Sequence, residues 1–595
     1  MNSKSTLFWL FVAAALFTFI YAFEHFLRPA PVEPSAILTD LQPSMVTSIQ
    51  VIPANALEIR ADRTTNGTWL LTKPVSYPAQ PAAIEALLAA LQKLTPAIRI
   101  SAGELREQRS AEADYGFETP QVSLVIEAGD QRWQLKVGNR TAPGDQVFLR
   151  IVGTDGASVA DADWLKYLPR TADDWRATAL VDFGDGAPDW IVLTNGTKVI
   201  ELRRNATNHL WQMARPLVAR ADSSGITEAL QRLQTAQVSQ FVTDNPKADL
   251  TSFDLQPAEL DLWIGHGTNF MTAIHTGKSP TNDLSLVYAR REGWNTIATT
   301  AKDPLSPWFG TVNDFRDPYL LELSAPVAQI EVRGTNHFIL QRQDANSWRV
   351  VVEKFPVDTR SVQQFIRLLA SLRVAEFVKD VVTTPDLPAY GLATPSWQIT
   401  LFSRVDDTNA VIAQLLFGTA QTNEVFVRRA DEDSVYAVSL EDFNQLPEVS
   451  SELRERQIWD FSEADVAQIT IHQNGKTRQI IHNGLNQWSL APGSQGIIIP
   501  AAIEETAHQF GKLAAAAWLA RNPAEPQKFG LKPGNLNISL ELKNGGKRTV
   551  DFGLSGTQTA VAAVTLDGGE QWVFVFPPAL YQFVLSYLSI PENVP

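Results

Sequence analysis

The chain has 595 residues, 45% of them apolar and 19% charged, with a net charge of −15. That length exceeds what one hydrophobic core supports and implies several units of roughly 100–200 residues; the composition excludes wholesale disorder. An acidic balance without any basic cluster argues against nucleic-acid binding, and the absence of cysteine excludes disulfides, thiolate metal sites, cysteine nucleophiles and lipid attachment at an N-terminal cysteine.

The first element in chain order is an uncharged apolar run from Leu7 to Phe23. As a helix it spans about 26 Å, slightly less than a bilayer's hydrocarbon core of about 30 Å. It is longer than a signal-peptide core, and Tyr21-Ala22-Phe23-Glu24 makes a poor cleavage site, so residues 1–24 are predicted to be an uncleaved transmembrane anchor. Lys4 precedes the run, while Arg28 follows it among Glu24 and Glu33. This charge balance favours an inner-membrane protein with its bulk on the extracytoplasmic, periplasmic side. Pro29, Pro31 and Pro34 make residues 25–37 a short, stiff linker.

Beyond the linker the sequence repeats itself about every 140 residues. An apolar-x-acidic-apolar motif opens each copy, at Leu38-Thr39-Asp40-Leu41, Leu180-Val181-Asp182-Phe183, Leu320-Leu321-Glu322-Leu323 and Ile458-Trp459-Asp460-Phe461. A strand-opening isoleucine follows (Ile49, Ile191, Ile330, Ile469), then a tryptophan (Trp69, Trp211, Trp348, Trp488) in a stretch closed by proline (Pro74, Pro216, Pro356, Pro492). Next comes an aromatic-Gly-apolar turn: Tyr115-Gly116-Phe117, Tyr390-Gly391-Leu392 and Phe529-Gly530-Leu531, replaced in the second copy by Phe253-Asp254-Leu255. Each copy then has a strand ending at a glycine: Gly138, Gly277, Gly418 and Gly553. Several landmarks in one order define four units, at 38–178, 179–318, 319–456 and 457–595.

Within a copy the periodicity changes once. Ile84, Leu87, Leu88, Leu91 and Leu94 form a helical stripe, repeated as Val362, Phe365, Ile366, Leu369 and Leu372. Pro81 and Pro500 suit a first helical turn, and Asp222 and Asp358 suit N-caps. Elsewhere the period is two: 121–127 with 132–137 reads as a hairpin, as does 466–472 with 477–482 around Asn474-Gly475. The strands after the glycine begin at Val147-Phe148, Val287-Tyr288 and Val425-Phe426. The fold class is therefore α+β: a transmembrane helix, then four tandem units, each a mostly antiparallel sheet of five to seven strands covered by one amphipathic helix.

A fold needs its core residues in every copy, whereas a catalytic constellation is needed once. The four tryptophans are thus read as core anchors, with ligand stacking as the alternative. The recurrent glycines are read as turn residues at positive φ, a conformation Asp254 can also adopt. The acids Asp40, Asp182, Glu322 and Asp460 are read as turn or cap acceptors, with a recognition surface of one carboxylate per unit as the alternative. Gly184-Asp185-Gly186-Ala187 has Pro188 after it and no helix, so it is no phosphate loop. His472 and His482 flank one hairpin but are out of register for a shared metal. No catalytic, cofactor-binding or metal-ligating residue is nominated.

The repeated layout resembles the domain-of-unknown-function family DUF4340, most clearly in Tyr390-Gly391-Leu392-Ala393-Thr394-Pro395 followed by Gly418 and Val425-Phe426. The resemblance covers residues 38 to 590. It implies a bacterial envelope protein accompanying ABC-type transport systems similar to those of gliding motility, as an accessory component without catalytic residues. The expectation is a non-enzymatic anchored scaffold contacting membrane transport or envelope proteins. A glycan-binding module of the envelope and an enzyme with an unrecognised site are the alternatives.

Overall fold

The computed structural model describes residues 3–23, 35–107, 110–184, 186–323, 325–345, 347–353, 355–405, 408–554, 560–566 and 569–590. Glu24, Arg28, Glu33 and the linker prolines lie outside the described residues, as does Asp185. The chain divides into two compact units, Met1–Arg316 and Asp317–Pro595. Each holds two of the four antiparallel sheets.

Helix α1 (Ser3–Ala22) carries the N-terminal apolar run. Phe8, Trp9, Leu10, Phe11, Leu16, Phe17, Phe19, Ile20 and Tyr21 are all exposed, so α1 is apolar on every side. Among the described residues no helix is long and apolar enough to cross a membrane.

The first sheet shows the plan of all four. Strands β1 (Ser48–Pro53), β2 (Ile59–Arg63), β3 (Trp69–Lys73) and β4 (Tyr77–Pro78) form one meander. Helix α2 (Pro81–Gln92) leads to β5 (Ile98–Ile100), and β6 (Val122–Ala128), β7 (Gln131–Arg140), β8 (Gln146–Ile151) and β9 (Ala157–Asp161) form a second meander. The order is β4-β3-β2-β1-β6-β7-β8-β9-β5, so pairing of β1 with β6 joins the meanders and β5 closes the far edge. The connection from β4 to β5 runs from one edge of the sheet to the other, and α2 lies along it. Ile84, Leu87, Leu88 and Leu91 are buried on its inner side; each contributes about 1.5–3 kcal/mol by leaving water. Pro81 stands at the start of this helix, as Pro500 does in Pro500–Gly511. Asp222 and Asp358 cap the equivalent helices, accepting from the backbone N–H groups of Gly225 and Arg360.

The second sheet also has nine strands, the third and fourth have eight, and the two meanders meet in the same way in each. This exceeds the five to seven strands expected from sequence. The additional strands are edge pieces, such as the two-residue β4 and the three-residue β5, too short to show an alternation of their own. Both expected hairpins form, Val122–Ala128 with Gln131–Arg140 and Val466–Gln473 with Lys476–Gly484.

Two landmarks of the repeat explain each other. The turn residue has positive φ in every copy: Gly116 at 78°, Asp254 at 54°, Gly391 at 68° and Gly530 at 74°. That turn brings the carbonyl oxygen of the preceding aromatic residue onto the glycine ending the second strand of the meander. A Cβ on Gly138, Gly277, Gly418 or Gly553 would collide with the oxygen of Tyr115, Phe253, Tyr390 or Phe529, respectively. The first and second sheets have separate cores, whereas those of the third and fourth merge into one cluster from Leu320 to Ile590.

Candidate functional site at the joints between copies

Trp69, Trp211, Trp348 and Trp488 are all buried, between 3% and 6% exposed. Each stands first or second in the third strand of its sheet, opposite Arg63, Arg204, Arg342 and His482, respectively. Like surroundings at four places identify them as core anchors and remove the repeated tryptophans as support for a ligand-stacking role. The four repeated acids are exposed. Asp182 accepts from the Gly184 N–H (2.9 Å), and Asp460 pairs with Lys512 (2.5 Å).

What the sequence reading missed lies at the ends of the first three copies. Arg176, Arg316 and Arg454 are buried, although each carries a full charge. Each follows a buried apolar residue (Trp175, Phe315, Leu453), and the backbone at these pairs closes onto the end of the first meander: Gln80, Asp222 and Asp358 donate to the carbonyls of Trp175, Phe315 and Leu453. The recurrence of apolar-Arg at the repeat's own spacing was the available signal.

In the first unit, Arg176 reaches from the first copy into the second. Its Nη2 lies 2.5 Å from Asp244, and its guanidinium stands over Phe241 (4.6 Å) and Tyr77 (5.6 Å). Asp244 also accepts from Thr296 Oγ1 (2.7 Å), and burial pushes the Tyr77 hydroxyl pKa upward. A buried arginine is tolerated when its charge is paired and its flat faces are covered by rings. In the second unit Arg454 meets the same problem chiefly with aromatics, standing over Trp572 (4.1 Å), Trp518 (5.2 Å) and Phe355 (5.3 Å). Burial lowers its pKa, partly offset by the charge of Glu570.

The joint inside each compact unit leaves a concave surface beside its arginine, Arg176 in the first and Arg454 in the second. The cleft between the first and second copies measures about 690 Å³, with Trp69, Trp294, Arg291, Asp182 and Gln237 on its walls. That size is within the usual range for ligand sites, which favour interfaces between domains. The cleft between the third and fourth copies measures about 380 Å³ and is lined by Trp459, Trp572, Arg548, Glu353 and Glu570. The joint clefts combine aromatic side chains with both signs of charge, suiting them to hold a polypeptide segment or small polar group.

The fourth copy has two further features. His482 stacks on Trp488 with ring centroids 4.1 Å apart, its Nδ1 lies 2.8 Å from the Val466 carbonyl, and Trp488 Nε1 donates to buried Glu504 (2.5 Å). His482 Nε2 is 3.4 Å from the same carboxylate. Histidine thus replaces the arginine of the other copies, and the helix supplies an acid to match. An adjoining groove of about 500 Å³ is lined by Lys476, Lys532, Asn535 and Asp551. Its His472 bonds Thr477 (2.8 Å) while Asp551 accepts from Asn537 (2.6 Å), so histidine and carboxylate face separate partners. Among the described residues no group of three or more His, Asp or Glu is placed to hold a metal ion.

No curated protein matches the chain. The family model described as a domain of unknown function (DUF4340) matches residues 69–209, 211–393 and 348–534. These matches begin at Trp69, Trp211 and Trp348, three of the four equivalent tryptophans, which supports the repeat register independently. Family model and repeated sheets agree, and the chain belongs to the DUF4340 family.

Proposed function

We propose that this protein is a membrane-anchored, extracytoplasmic repeat protein, acting without catalysis as a scaffold or accessory subunit of a membrane transport complex. The observation that carries the reading is the use of the repeated residues. Tryptophans, glycines and buried arginines go into the cores and the joints within each unit, and the concave joint clefts vary from one unit to the other. Such an array offers several weak contacts on one tether, where linkage raises effective concentration. The apolar run from Leu7 to Phe23 and its exposure on every side of α1 support anchoring.

Photo-crosslinking tests this directly. A photoreactive residue at Thr68 or Gln237, on the first joint cleft, is expected to trap a membrane transport subunit in cells, and one at exposed Lys198 is not. Removing residues 1–34 is expected to release the chain from the membrane fraction and abolish the crosslink. Full-length chain in the soluble fraction, or crosslinks only to soluble proteins, refutes the proposal.

A further inference from the structure

The second sheet carries a set of side chains for which its fold has no use. Its inward positions, Ile191, Leu193, Leu262 and Ile264, are fully buried, so the alternate positions Trp190, Val192, Asp261 and Trp263 face away from the core. Trp190 lies opposite Gly265 and Trp263 opposite Val192. A Cβ on Gly265 would run into the Trp190 indole, which therefore rests directly on the neighbouring strand. Trp263 is 36% and Phe270 50% exposed, with centroids 5.6 Å apart.

Polar groups border this aromatic row at both ends. At one end His275 stands edge-on to Trp263 (5.9 Å), with Nδ1 2.5 Å from Asp261 and Nε2 2.8 Å from Glu292. The carboxylates occupy opposite sides of the imidazole and do not converge on one point as metal ligands would. At the other end Asp189 accepts twice from the Gly267 N–H and lies 3.3 Å from His266.

The sister copies show that the fold does not require these residues. Ser48, Gln329 and Gln468 precede the strand-opening isoleucine where Trp190 does. The register places Val125, Thr400 and Ser539 where Trp263 stands. Large rings kept on a water-facing surface, one of them seated by the loss of a side chain beneath it, indicate a ligand.

We propose that this face binds a neutral saccharide chain. The apolar faces of pyranose rings stack on Trp190, Trp263 and Phe270, and their hydroxyls donate to Asp261, Glu292 and Asp189. A row of rings stepping along the strands, tilted by 54° between Trp263 and Phe270, fits a chain better than a compact solute. Carboxylates at both ends disfavour phosphate and other anions, and the nearby cations Arg203 and Arg215 are drawn to Glu201 at 2.7 and 3.4 Å. This site is separate from the joint clefts and does not depend on the transport reading.

The test is calorimetric titration of the full chain in detergent with cellohexaose and with chitohexaose. Saturable binding to at least one is expected. Trp263→Thr and Trp190→Gln, which install side chains that sister copies carry, are expected to weaken it about tenfold each, the equivalent of about 1.4 kcal/mol. Trp133→Phe on the first sheet is expected to leave it unchanged. Unaltered thermal unfolding of the two test variants separates lost binding from lost structure. The proposal is overturned by absence of saturable binding to both probes up to about 5 mM, by binding that both variants retain, or by a protein crosslinking to this face in place of a saccharide.

Discussion

Adding one methyl group to the strand-ending glycines tests the reasoning about the repeat most sharply. At Gly553 a Cβ would sit 2.6 Å from the Phe529 carbonyl oxygen, whereas ordinary contact begins at 3.4 Å. The turn must then retreat by about 0.8 Å, and by about 1 Å or more at Gly138, Gly277 and Gly418, where the approach is closer still. Overpacking of this kind costs typically about 1–3 kcal/mol. The neighbouring turn residue is already at positive φ in each copy, which leaves little freedom to retreat. Gly418→Ala and Gly138→Ala are therefore expected to cost about 3 kcal/mol, and Gly553→Ala about 1–2 kcal/mol. In urea these losses lower the midpoint of the affected unit by about 1 M for the first two and less for the third. Hydrogen exchange assigns the transition, with Gly138→Ala expected to loosen the first unit and the other two variants the second. A neutral Gly418→Ala, or a Gly553→Ala more damaging than the rest, would refute the fit between turn and strand.

Three further outcomes follow from single interactions. Arg454→Ala empties the space between Phe355, Trp518 and Trp572 and is expected to destabilise the second unit by about 2–4 kcal/mol; Arg454→Met, which keeps an apolar stem among the rings, is expected to cost clearly less by urea unfolding. Glu504→Ala removes the acceptor of Trp488 Nε1 and the carboxylate facing His482, leaving buried polar groups unmatched at a cost of about 1–3 kcal/mol, read by the same unfolding curves. The hydrogen bond from Arg521 holds the Glu570 carboxyl below its ordinary range. Its contribution to stability is thus fully present above the unfolded-state carboxyl pKa and is lost as pH falls through the lower folded value. Glu570→Gln is expected to flatten the fall in second-unit stability as pH drops below the ordinary glutamate range, and an unchanged acid limb would count against the pairing.

How much could be read in advance depended on whether a feature was local. Helices announced themselves through the spacing of Ile84, Leu87, Leu88 and Leu91, and hairpins through alternation around Asn474-Gly475, because both signals lie within a dozen residues. The nine-stranded order did not, since β1 meets β6 across a whole helix and β5 has only three residues. The arginines were missed for a different reason: an arginine in a loop reads as solvated, and only Asp244 and Phe241, or Trp518 and Trp572, supplied from the next copy, make Arg176 and Arg454 buried. Glu504 was missed likewise, because its sequence counterpart Glu85 is exposed and His482 alone gave no reason to bury it.

Repetition separates what the fold demands from what a single copy has added. A residue present four times in like surroundings, such as the tryptophan at the start of the third strand, is explained by the core and needs no ligand. The same comparison works in reverse. At places where three copies carry serine, glutamine, threonine or valine, an indole on the outer face cannot be a requirement of the sheet, because three sheets stand without it. Trp190 and Trp263 are in that position, as is His482 where its sisters have arginine. The second and fourth copies are thus where this chain departs furthest from its own pattern. They are the copies in which substitutions should alter behaviour without altering the fold, since each departure has been tried in the opposite direction by a neighbouring copy of the same chain.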